Sequence, residues 1–164
     1  MGSNLKGREL YREKVLGNLE ESFNHLKRLN NGFMELQKSF NFPIDSENFT
    51  KILNSNQLLA YSDQIIYRFS KLQDSIGAKL FKSLLLYQGE NVNRPFIDIL
   101  NQLEKIEIIN VDDWFEIRDL RNEIAHDYNS NDDIAMEMLN SIFKLKDDYL
   151  TKILEKINMS VSGK

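Results

Sequence analysis

Hydrophobic residues recur at three- and four-residue steps along nearly the whole chain, the spacing of one face of an α-helix. Between Glu9 and Phe40 the stripe is Val15, Leu19, Phe23, Leu26, Phe33, Leu36 and Phe40, with Lys and Glu on the opposite face. This predicts a long amphipathic helix. Asn30-Asn31-Gly32 is its weak point. Phe42-Pro43 ends it, because the residue before proline is pushed out of helical geometry. Asp45 or Ser46 can cap a short helix to about Leu53, after which Asn54-Ser55-Asn56 breaks and recaps the chain. A second long helix follows, its stripe running Leu58, Leu59, Ile65, Ile66, Phe69, Leu72, Ile76, Leu80 and Leu84, and Gly89 stands where a C-terminal glycine cap belongs.

Asn93 is expected to cap the next helix, with Pro95 in its first turn and Phe96, Ile99, Leu100, Leu103 and Ile106 along it. Asn110 opens a helix of roughly Val111 to His126. The polar loop Asp127-Tyr128-Asn129-Ser130-Asn131 leads to a last helix from about Asp132 to Ile157, with Ile134, Met138, Leu139, Ile142, Leu145, Tyr149, Ile153 and Leu154 as its stripe. Long helices joined by short polar loops make the fold class all-α, an antiparallel bundle of four main helices with short extras. No repeat, low-complexity block or shift in composition marks a second domain. Residues 1–158 therefore read as one domain and 159–164 as a disordered tail.

Composition narrows the chemistry. The chain has 164 residues, 41% hydrophobic and 28% charged, with only 2 Pro and 7 Gly, which excludes a disordered or collagen-like chain and most all-β sandwiches. Without Cys there is no thiolate metal site and no cysteine nucleophile, and two histidines, His25 and His126, leave little for a metal cage. No metal and no cofactor are expected. A net charge of −4 argues against coating nucleic acid through bulk positive charge, so RNA would have to be met at a local basic site. The first residues carry no apolar signal core, and the run Leu84-Leu85-Leu86-Tyr87 is far too short to span a bilayer. A cytoplasmic protein without membrane association is the expectation.

The informative segment is Trp114 to Tyr128. At about 100° per residue, Trp114, Ile117, Leu120 and Ile124 fall on one face and must point into the core. Glu116, Asp119, Glu123 and Asp127 form an acidic strip on another. Between them lies a third strip of Phe115, Arg118, Asn122 and His126, with Arg121 at its border with the apolar face. Asn122 and His126, four apart, are surface neighbours. Arg121 and His126 are five apart, about 140° around the axis. They meet on one small ligand only if Arg121 bends round, if the helix ends near His126, or if a second copy supplies one of them. The residues alone also allow His126 as a C-terminal cap on the helix dipole, and Arg118 and Arg121 as partners of nearby carboxylates. His25, beside Lys27 and Arg28, reads as a plain surface histidine.

Arg121-Asn122-Glu123-Ile124-Ala125-His126-Asp127-Tyr128 spells R-x4-H-x-Y with a polar residue after the Arg. This resembles the signature of the HEPN superfamily, particularly HepT-like toxins of toxin–antitoxin pairs. The segment Tyr67 to Phe81 resembles the second helix of a HepT-like branch, and the likeness covers roughly Gln57 to Ile157. It implies a HEPN-like bundle that forms a homodimer with two R-x4-H motifs facing one cleft, and a metal-independent endoribonuclease activity on RNA. In that scheme His126 is the base for the 2′-hydroxyl, Arg121 holds the phosphate, and Asn122 binds phosphate or orients His126. Arg118 widens the RNA-binding cleft, with Lys71 and Lys79 as further candidates. The resemblance also implies an MNT-type nucleotidyltransferase antitoxin that silences the toxin by AMPylation of Tyr128, expected in an exposed loop. Alternatively Tyr128 packs its ring over the helix end, and Phe115 serves either the two-fold interface or its own core. Two other functions stay open: a non-catalytic nucleotide- or protein-binding partner of such an enzyme, and a helical oligomerisation module.

Overall fold

A computed structural model of the chain describes residues 2–162, with side chains from Lys6 onward. Helix α1 (Gly2–Gln37) spans the molecule, and α2 (Ser46–Leu53) is capped by the Asp45 carboxylate, which accepts from the Asn48 amide. The Ser55 hydroxyl caps α3 (Asn56–Ser75). This helix runs on through a wider π-turn (Ile76–Leu80) into α4 (Phe81–Tyr87). Then come α5 (Phe96–Lys105), α6 (Val111–Asp127) and α7 (Asp132–Leu145); a second π-turn (Lys146–Thr151) carries α7 into α8 (Lys152–Ser162). The result is the all-α bundle expected: four main rods, α1, α3–α4, α6 and α7–α8, with α2 and α5 as short extras. No described helix is long and apolar enough to cross a membrane.

One hydrophobic core joins the rods. Phe33 from α1, Phe69 and Phe81 from α3–α4, and Trp114 from α6 are its largest fully buried side chains. The rods α1 and α3 run antiparallel, shown by contacts whose positions climb on one helix as they fall on the other. His25 meets Arg68, Ser22 meets Ser75, and Asn18 meets Ser83. A short polar seam lies in this interface. Ser75 donates to the Glu21 carboxylate at 2.8 Å, and because Ser75 has one proton, Ser22 must donate to Ser75 at 2.9 Å. The Ser75 bond first, with Lys79 assisting, holds the Glu21 carboxyl below its ordinary range.

The structure departs from the sequence reading in three places. α1 runs unbroken through Gly32, which lies tight against α3: a Cβ there would lie 2.8 Å from Ile65 Cγ1 and 3.3 Å from the Tyr61 carbonyl oxygen. Pro95, not Asn93, occupies the cap position of α5, its fixed φ already suited to entering the helix. The expected tail from residue 159 is helical through Ser162, because Val161 is buried on the core and anchors the last turn. Residues 163 and 164 lie outside the described residues. Gly89, by contrast, adopts φ +83 and closes α4 through amide bonds from Gly89 and Glu90, as a glycine cap should.

Two glycines in α1 test this packing. An alanine gains up to about 1 kcal/mol of helix propensity over glycine, and at Gly17 nothing lies within 4 Å of the added Cβ, so Gly17→Ala should raise stability. At Gly32 the methyl meets Ile65 and backbone, and overpacking of about 1–3 kcal/mol should outweigh that gain. Urea denaturation of both variants checks the opposite signs.

Candidate functional site

The site is built on α6. Asn110 caps it by accepting from the Asp113 amide at 3.1 Å, and Asp112 and Asp113 place negative charge at its positive end. Trp114, Ile117, Leu120 and Ile124 are its buried residues, the face read from the wheel. Three contacts fix its position along α3, which runs antiparallel to it. Trp114 packs on Gly77, where a Cβ would stand 3.0 Å from Trp114 Cζ2, and its ring meets Phe81 edge-on at 4.8 Å. Arg121 grips Asp74 with two parallel bonds, Nε to Oδ1 at 3.2 Å and Nη2 to Oδ2 at 3.1 Å. At the far end the Tyr128 hydroxyl donates to Asp63 Oδ1 and accepts from Ser62, both at 3.2 Å.

Between α3, α5 and α6 these contacts leave an open cleft of about 460 Å³. Its walls include Arg118, Arg121 and Asn122 from α6, Gln73, Asp74, Gly77 and Ala78 from α3 and its π-turn, Lys82 from α4, and Phe96 from α5. Arg118 lies over the Phe96 ring, 5.6 Å from its centre. Among the described residues no carboxylate pairs with Arg118 or Lys82, so the cleft presents two uncommitted cations. Asp74 is the acid on the wall, and Arg121 already neutralises it.

Three of the four residues singled out for RNA chemistry therefore share one cleft. His126 is not among the lining residues; it is exposed in the last turn of α6, one turn beyond Asn122. The helix continues through Asp127, and the Arg121 guanidinium is turned toward Asp74 on α3. Tyr128 is also placed differently from the exposed loop position expected. It is the C-terminal cap residue of α6, half-buried, its ring against the core, and burial raises its phenol above the ordinary value. Phe115 likewise packs half-buried on the bundle's own core.

Lys71 and Lys79 do not line the cleft. Lys79 bonds Glu21 on the α1 side, and Lys71 sits over the exposed Tyr67 ring at 5.6 Å. Lys82 and Gln73 take their place. The four-residue steps Asp74, Ala78, Lys82 put these on one face of α3–α4, a signal present in the sequence once α6 is known to pack there. His25 is not a plain surface histidine: it is half-buried, and its Nδ1 accepts from Arg68 Nη1 at 3.1 Å, which requires the neutral ring with the proton on Nε2. Among the described residues no group of three or more His, Asp or Glu side chains is placed to hold a metal ion. No protein-family model matches the chain, and no curated protein or solved structure matches it either.

Burial, and then the Arg68 charge, push the His25 imidazole below its ordinary 6.5. Unfolded protein thus binds the proton more readily than folded protein, and His25 stabilises the fold above pH 6.5 and loses that contribution as pH falls through the lowered folded value. Denaturant midpoints at pH 7.5 and pH 5.5 should drop more for the wild type than for His25→Gln. Equal drops would show that the ring does not carry this linkage.

Proposed function

We infer that the chain is a metal-independent endoribonuclease, the toxin of a toxin–antitoxin pair, and that the cleft beside α6 receives the RNA phosphodiester. The observation that carries this reading is the gathering of Arg118, Arg121 and Asn122, with Lys82, around one open cleft on a protein of net charge −4. A focused cationic site is what an acidic protein needs to hold a polyanion. The acidic strip of Glu116, Asp119 and Glu123 is exposed on α6 and absent from the cleft walls.

In this scheme Arg121 exchanges the Asp74 carboxylate for phosphate oxygens, one pair of anionic oxygens replaced by another that the same guanidinium fork can hold. Asn122 donates to the same phosphate. His126 comes from a second copy across a two-fold axis, since its own chain keeps it off the cleft. Its neutral imidazole takes the 2′-hydroxyl proton while O2′ attacks phosphorus, and the 5′-oxygen leaves with a proton from the other, protonated His126. The products are a 2′,3′-cyclic phosphate and a free 5′-hydroxyl. An MNT-type nucleotidyltransferase antitoxin would silence the protein at Tyr128, whose hydroxyl must first leave Ser62 and Asp63.

A second reading has its own support. The closed Arg121–Asp74 pair and the tethered Tyr128 hydroxyl both suit a non-catalytic nucleotide- or protein-binding subunit that partners a nucleotidyltransferase.

Growth on induction and cleavage of RNA without magnesium separate the two. The wild type should arrest growth and cut RNA, and Arg121→Ala and His126→Ala should each lose about a hundredfold or more in rate. Three proteins that behave alike would remove the ribonuclease reading. Co-expression with an MNT-type nucleotidyltransferase should add AMP to the wild type and not to Tyr128→Phe, read by intact mass.

A further inference from the structure

We propose that Gln73 is the residue by which the cleft recognises an unpaired nucleobase, so that the occupant is a whole nucleotide unit rather than a phosphate group alone. The inference rests on the reading of this cleft as an RNA phosphate site and assigns the residue that reads the base.

Gln73 is 8% exposed, and its side chain makes no hydrogen bond among the described residues. The other buried polar or charged side chains all have partners. Ser22 and Ser75 bond each other, Ser62 bonds Tyr128, Ser83 bonds the Leu80 carbonyl, and Lys146 bonds Asp147. Among these six described residues Gln73 is the one without a partner and the one that lines the cleft; the fully buried unpaired atoms, Trp114 Nε1 and Asn30 Oδ1, belong to residues off the cleft wall. Its amide atoms open onto the cleft rather than into the core, so their partner comes from the cleft, either water or an occupant that displaces it.

The chemistry of the amide says what that partner is. It offers an acceptor and a two-proton donor side by side, whereas a phosphate has acceptors only and would leave the amide oxygen unused. A base edge supplies donor and acceptor together, as adenine does through N6 and the ring nitrogen beside it. Phe96 adds a half-buried ring on which a base can stack. Arg118, over that ring, and Lys82 are the free cations for the attached phosphate. Asp74 is the single carboxylate on the wall and is held by Arg121. The volume, about 460 Å³, is that of a small-ligand site.

Isothermal titration of the full chain with AMP, ribose 5-phosphate and inorganic phosphate tests the assignment. AMP contains no internucleotide linkage to cut, so binding is read without turnover, and a protein that fails to cleave RNA can still pass. AMP should bind at least about tenfold more tightly than ribose 5-phosphate. Gln73→Leu and the length-matched Gln73→Met should bring AMP down to the ribose 5-phosphate level and leave ribose 5-phosphate itself unchanged. Equal binding of AMP and ribose 5-phosphate by the wild type would overturn the proposal without any variant. So would undiminished AMP binding by either folded variant, which would mean that the amide holds only solvent.

Discussion

The seat of Trp114 against the bare Cα of Gly77 sets the rest of this molecule's functional face. With no side chain at Gly77, the indole reaches the α3–α4 rod at the π-turn and meets Phe81 edge-on. That contact fixes how far α6 lies along α3 before any polar group acts. Arg121 is seven residues on, and its long side chain reaches back along α3 to Asp74, three residues before Gly77. Tyr128, two further turns along, reaches Ser62 and Asp63. The Trp114 and Tyr128 contacts lie fourteen residues apart on both helices and so share one register, while Arg121 reaches Asp74 by the length of its side chain.

The same register explains how an acidic protein comes to own a cationic cleft. Lys82, just beyond the π-turn of the α3–α4 rod, shares the cleft wall with Arg118 and Asn122. The carboxylates of α6 point elsewhere, and the one acid on the wall, Asp74, is consumed by Arg121. This pair is half in solvent, so its contribution to stability is small. What it does is hold the guanidinium at the cleft wall in a single orientation, available to any anion that displaces the carboxylate.

The helices were legible from hydrophobic spacing because each rod buries a continuous stripe, and a stripe is a property of local sequence. Val15, Leu19, Leu26, Phe33 and Leu36 on α1, and Trp114, Ile117, Leu120 and Ile124 on α6, are all buried as that spacing requires. At Gly32 local and tertiary effects oppose each other: glycine weakens a helix in isolation, yet here it lets α1 pack tightly on α3. Pro95 replaced Asn93 at the cap because the chain between them does not turn helical until Phe96. Neither distinction exists until a second helix or the actual backbone path is present.

Local order alone therefore determined the all-α class, the rods and the third strip on α6 that carries Arg118, Asn122 and His126. Tertiary packing decided which of those groups meet. It closed Arg121 on Asp74, drew Tyr128 partly out of solvent, left His126 exposed and outside the cleft lining, and brought Gln73, Lys82 and Phe96 from other helices into the cleft. Periodicity along one helix fixes directions around its own axis, and a site shared by three helices depends on their crossing positions, which only side chains such as Trp114 set when they pack.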